Sequence, residues 1–108
     1  QMYRMKFEAD GFEVQLANNG KLGVTLVKSL KPDIVLLDLQ MPEMDGVEAL
    51  TEIRGNTWGK DVPVIILTNM GQEESPKALE SLNVESYIVK ADLTPSQVVK
   101  KVKETLNI

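Results

Sequence analysis

Apolar positions along the chain recur with two different periods, and the switches between them divide the sequence into alternating helices and strands. Met2, Tyr3, Met5, Phe7 and Ala9 fall at helical spacings over 1–10, with Gly11 following as a C-terminal cap. Phe12, Val14 and Leu16 then alternate with Glu13 and Gln15, the period of a strand over 12–17. Asn18, Asn19 and Gly20 punctuate, and Leu22, Leu26, Val27 and Leu30 form a helical stripe that Lys31-Pro32 ends. The run Ile34, Val35, Leu36, Leu37 has no polar alternation, which predicts a strand buried on both faces of a parallel sheet. Val47 to Arg54 reads as a helix with Val47, Leu50 and Ile53 inward, and 55–61 as a loop carrying Trp58. Val62 to Thr68 is a second buried strand. Ser75 as N-cap and Pro76 at the first position predict a short helix ending near Leu82. Ser86 to Val89 is a short strand, and Thr94-Pro95 opens a last helix with Val98, Val99, Val102 and Leu106 inward. The alternation predicts a doubly wound α/β fold with a parallel sheet and four strands, uninterrupted by linkers or repeats.

Composition narrows the chemistry. A chain of 108 residues is one domain, long enough to bury a core. The absence of cysteine and histidine excludes disulfides, thiolate metal sites, and catalysis by Cys–His or Ser–His–Asp. A net charge of -4 without a Lys/Arg cluster lacks the footprint of a nucleic-acid binder. No apolar run approaches the roughly 20 residues that span a bilayer, and no cleavable leader pattern appears, so a cytoplasmic protein is expected.

Candidate chemistry gathers at strand ends. Asp38 follows the apolar run directly, Thr68 closes the next strand, and Lys90 follows the last one. Ligands in open α/β sheets bind outside the carboxyl ends of the strands, and neighbouring strand ends lie about 5 to 10 Å apart. Each residue has a plainer reading: a turn aspartate bonded to its own backbone, a helix-capping hydroxyl, a snorkelling surface lysine. Together they make a carboxylate nucleophile beside a hydroxyl and an ammonium suited to phosphoryl oxygens.

The stretch Asp38-Leu39-Gln40-Met41-Pro42-Glu43-Met44-Asp45-Gly46, with Ile66-Leu67-Thr68 and Tyr87-Ile88-Val89-Lys90, resembles the receiver domains of two-component response regulators. The match runs through nearly all of 1–108. It implies a flavodoxin-like sheet of strand order 2-1-3-4-5 and a phosphorelay signalling switch rather than an enzyme proper. By that resemblance Asp38 receives a phosphoryl group from a histidine kinase or phosphotransfer protein. Lys90 pairs with the acceptor, Thr68 contacts the phosphoryl oxygen, and Thr68 and Tyr87 move together to change a face for a downstream protein. A homodimer also fits the resemblance and strand exchange with another chain would supply the missing first strand, whereas the charge and the short apolar runs speak against direct nucleic-acid or membrane contact.

The chain departs from the family in three places. The first apolar strand and the acidic pair at its end, which bind Mg²⁺ in the family, would lie before Gln1, so an N-terminally incomplete receiver is expected. Asp38 and the backbone carbonyl of Gln40 alone would hold Mg²⁺ weakly, and the polypeptide as written is expected to be a poor phosphoacceptor. Ala91 replaces the family's proline after the lysine, which predicts a trans Lys90–Ala91 bond. Met70, two residues beyond Thr68, is apolar where many relatives carry a polar group, implying slow loss of phosphate. The missing acids also motivate an alternative: a phosphorylation-independent pseudo-receiver that scaffolds a partner.

Overall fold

The computed structural model describes residues 2–108 and arranges them as three layers. In chain order the elements are α1 (Met2–Ala9), α2 (Gly20–Leu30), β1 (Val35–Leu37), α3 (Gly46–Arg54), β2 (Val64–Thr68), β3 (Ser86–Val89) and α4 (Pro95–Leu106). The strands form one parallel sheet in the order β1-β2-β3, with Val35 opposite Val64 and Thr68 opposite Val89.

Period-two alternation along β2 separates the two sides of the core. Ile65 and Leu67 point to one face and join Phe7, Ile88, Val98, Val99 and Val102 beneath α1 and α4. Val64 and Ile66 point to the other and join Leu37, Leu39, Leu50 and Leu79, beside a cluster of Val24, Val27, Ala49 and Ile53 that packs α2 on α3. All five residues of β2 are buried, as befits the central strand of a parallel sheet.

Caps delimit the helices where the sequence provides them. Thr94 accepts from the Gln97 backbone while the Gln97 side chain accepts from the Thr94 backbone, and Pro95 occupies the first position of α4. Gly11 after α1 has φ 92°, a conformation that favours glycine. Lys31 ends α2 in the left-handed region and donates to the Val27 carbonyl.

Three expectations need correction. Residues 12–17 form no strand: no strand lies alongside them among the described residues, and an extended segment without a ladder partner is not a strand. The visible strands therefore number three, not four. The alternation survives as packing, since Phe12 meets Phe7 edge to face with centroids 5.2 Å apart and Val14 joins the same core. A cavity of about 1160 Å³ separates this segment from β1, so Ile34, Val35 and Leu36 are only half-buried despite their unbroken apolarity.

The second correction is the face of α2. Of the expected stripe Val27 is buried and Leu26 half-buried, whereas Leu22 and Leu30 are exposed and Gly20 and Val24 are buried instead. Small residues win the inward face because α2 packs close against α3. Met2 and Met5 of α1 are likewise exposed, and Phe7 is the residue that α1 buries. Third, the helix expected from Pro76 to Leu82 is replaced by two 3-10 turns, 72–74 and 77–81. Pro76 is extended at ψ 136°, and Leu79 is the one buried residue of the turn it precedes, too little apolar surface to hold an α-helix. The peptide bonds of the described residues, Lys90–Ala91 included, are all trans, as expected.

The α2 correction is directly testable by urea unfolding. Val24→Ala should lose about 1 to 3 kcal/mol, whereas Leu22→Ala should stay within about 0.5 kcal/mol. The reverse ranking would restore the leucine stripe as the inward face.

Candidate functional site

Parallel register carries the three expected residues to one edge of the sheet. Leu37 lies opposite Ile66, so Asp38 emerges beside the last turn of β2, and Thr68 lies opposite Val89, so Lys90 emerges beside Thr68. The Lys90 ammonium reaches the Asp38 carboxylate at Nζ···Oδ2 3.1 Å. The other carboxylate oxygen, Oδ1, accepts the Gln40 backbone N–H at 3.0 Å. Asp38 is therefore both the turn aspartate of the plainer reading and one half of an ion pair.

The loop after Asp38 is built to hold that carboxylate still. Leu39 is buried and its carbonyl accepts from Gly46 N–H at 3.2 Å. Gly46 opens α3 so close to β1 that a Cβ there would collide with the Asp38 carbonyl. Asp45 caps α3 by accepting from Glu48 N–H at 2.9 Å, and Glu48 returns the bond to Asp45 N–H at 3.2 Å. This capping box has a sequence signature, Asp45 with Glu three residues on, that the pattern reading passed over. Gly20 similarly lets α2 abut the backbone of Met44. No sequence signal distinguishes that close approach.

Opposing electrostatic effects act on Asp38. Burial is the largest and pushes its pKa up; the Gln40 N–H, the Thr68 hydroxyl, and the hydrogen bond and charge of Lys90 together outweigh it, and the carboxyl is held below its ordinary value. With about a quarter of each side chain exposed, the Asp38–Lys90 pair is partly screened. Thr68 itself is fully buried, and its Oγ1 accepts from Met70 N–H at 3.3 Å. Tyr87 is half-buried and donates its hydroxyl to the Met70 carbonyl at 2.9 Å. Burial, then Glu74, Glu73 and Asp38, push the Tyr87 phenol upward, so it remains a neutral donor.

The described residues fit a resident Mg²⁺ poorly. They hold no group of three acidic or imidazole side chains able to ligate a metal, and both oxygens of Asp38 already accept protein hydrogen bonds. Gln40, whose backbone carbonyl is the other expected ligand, is exposed, and that carbonyl adds only one neutral oxygen to Asp38. One engaged carboxylate does not make the octahedral oxygen shell that Mg²⁺ requires.

No helix among the described residues is long and apolar enough to cross a membrane. A profile of the response regulator receiver domain matches residues 1–103. The chain is 38% identical over 92 residues to the regulatory protein AtoC of Escherichia coli, covering 83% of this chain and 19% of AtoC. It is 34% identical over 106 residues to the transcriptional regulatory protein SrrA of Staphylococcus aureus, covering 98% of this chain and 42% of SrrA. The chain thus spans less than half the length of these curated relatives. A chain of the CheX–CheY–BeF3–Mg²⁺ complex of Borrelia burgdorferi superposes with a TM-score of 0.83 at 30% identity, over 97% of this chain and 78% of that one. With its flavodoxin-like parallel sheet and its carboxylate, hydroxyl and lysine at one edge, the chain belongs to the response regulator receiver domains of two-component systems, whose general role is phosphorylation-dependent switching.

Proposed function

We propose that Asp38 is the phosphoacceptor of a phosphorelay switch and that Thr68, Lys90 and Tyr87 serve it. The observation that carries this reading is the 3.1 Å contact of Lys90 Nζ with Asp38 beside the buried Thr68 hydroxyl. A carboxylate held ionised at neutral pH is the nucleophilic form. A carboxylate oxygen of Asp38 attacks phosphorus on a phosphohistidine donor, the P–N bond breaks, and its electron pair leaves with the imidazole. The product is an acyl phosphate. Lys90 then has a phosphoryl oxygen to neutralise, and the Thr68 hydroxyl can turn from Asp38 toward another.

The switch follows from what Thr68 and Tyr87 share. Both engage Met70, one at its N–H and the other at its carbonyl, so turning Thr68 releases a contact that helps hold Tyr87. Beside Tyr87, a groove of about 620 Å³ between β3 and α4 is lined by Val89, Asp92, Lys100 and Lys101 among others. That mixed-charge face is the proposed docking surface for a downstream protein. The donor is a histidine kinase or phosphotransfer protein, and the setting is cytoplasmic. Residues 1–108 act as one receiver unit.

A second reading is favoured by one observation. Among the described residues no acidic cluster able to ligate a metal stands beside Asp38. A pseudo-receiver would use the same β3–α4 face without phosphorylation. Incubating the full-length protein with a phosphohistidine donor and Mg²⁺, followed by mass spectrometry, separates the two. The first reading expects a gain of one phosphoryl group that Asp38→Asn abolishes; no gain selects the scaffold.

Two further outcomes are expected. The carboxyl ¹³C shift of Asp38 should titrate below the ordinary aspartate range. Its folded pKa being depressed, its contribution to stability is full above the unfolded value and disappears as pH falls through the folded one. Lys90→Met removes two of the lowering influences and should move that titration upward; an unchanged midpoint would count against the pair. With apolar Met70 where many relatives carry a polar group, the acyl phosphate should persist for minutes or longer, and decay within seconds would reject that role for Met70.

A further inference from the structure

The segment between β2 and β3 is held by hydrogen bonds at its two ends and, between them, by Leu79 in the core beside Leu50 and Ile66. Its interior consists of two 3-10 turns, and Leu79 is the residue that it buries. At its N-terminal end Tyr87 donates to the Met70 carbonyl at 2.9 Å. Its C-terminal end is held from a different element. Arg54, the last residue of α3, donates Nε to the Leu82 carbonyl at 2.8 Å and Nη2 to the Asn83 carbonyl at 3.0 Å. Nη1 of the same guanidinium donates to the carbonyls of Val62 at 2.8 Å and Gly59 at 2.9 Å, in the loop that leads into β2. Asn83 has φ 55°, a left-handed conformation that breaks the turn immediately before the chain enters β3.

We propose that Arg54 is a positioning residue of the switch: it pins the 82–83 corner to α3 and the entry of β2, making that corner the fixed hinge of segment 71–83. Motion released at the Tyr87 end then swings the segment about this corner instead of peeling it from the sheet. The guanidinium suits the task because its planar fork can serve several carbonyls at once, which a lysine ammonium on a single flexible stem cannot reproduce. Burial is the largest influence on it and lowers its pKa against the opposing charges of Asp61 and Glu85, but a guanidinium stays charged at neutral pH all the same. The functional consequence rests on the switch reading above, whereas the clamp is a property of the chain without phosphate.

Hydrogen exchange on the full chain, without any phosphoryl donor, tests the hinge separately from phosphorylation. Arg54→Lys should accelerate the amides of 79–85 by at least about tenfold, because bonds to a charged donor are lost. The amides of β2 and α4 and the Asp38 titration should stay unchanged. Tyr87→Phe should accelerate 70–75 alone, and the double variant should open 71–83 as one unit. Wild-type exchange at 79–85 in Arg54→Lys would overturn the proposal. So would uniform acceleration across β2 and α4, or failure of Arg54→Lys to fold, since either outcome would make Arg54 a residue of global stability. Loss of phosphoryl uptake in the wild-type protein would leave these exchange maps as expected and would fault only the switch reading.

Discussion

Everything at the site follows from the parallel register of three short strands. Because β1, β2 and β3 run the same way, their carboxyl ends share one edge, and Asp38, Thr68 and Lys90 converge without any loop reaching across the sheet. An antiparallel neighbour would have sent one of the three to the opposite edge. The register also fixes who must compensate whom. Asp38 leaves the sheet partly desolvated, which disfavours its charge, and the donors that offset this stand on the following turn and the two neighbouring strand ends. The ionised carboxylate is thus a product of topology more than of any single partner.

The same sheet has an edge that is treated differently. β2 is paired on both sides and wholly buried, while β1 hydrogen-bonds on its β2 side and faces a cavity on the other among the described residues. Unpaired strand edges are where sheets accept further strands, and backbone groups left without partners are unfavourable when water is excluded. That asymmetry accounts for both local departures from the apolar pattern. Residues Ile34 to Leu36 are apolar enough for full burial yet half-exposed, and 12–17 keeps its alternating side chains while lacking a ladder.

What was legible in the sequence divides along physical lines. Signals generated within a few residues were reliable: the apolar run of β2, the Thr94-Pro95 start of α4, the Gly11 stop of α1, the Lys31 end of α2. Period two at 12–17 was also read correctly as a pattern, but a strand requires a neighbour, and pattern carries no information about neighbours. On α2 the stripe placed Val27 correctly, but its leucines misled because close packing on α3 selects the small Gly20 and Val24 over Leu22 and Leu30. At the site, the three chemistry-bearing side chains were legible because strand ends are predictable. Their supports, Gly46 beneath Asp38 and the carbonyls gathered by Arg54, depend on backbone approach and leave no periodic trace.

Those supports define two routes away from Asp38. One passes along the site to Thr68, Met70 and Tyr87, a chain of side-chain and backbone hydrogen bonds that can rearrange by rotation. The other passes through Gly46 into α3, packed at Leu50 and Ile53 with no exposed surface to yield, and ends at Arg54. A helix of nine residues is about 13 Å of stiff rod. The two routes meet again at opposite ends of segment 71–83. In the proposed switch, a segment held by a contact able to turn at one end and by one anchored to a rod at the other, with Leu79 packed between them, has a defined direction in which to move. The direction of that proposed motion comes from the contrast between the two attachments, because a segment loosely held at both ends would merely fray and one tightly held at both would not respond.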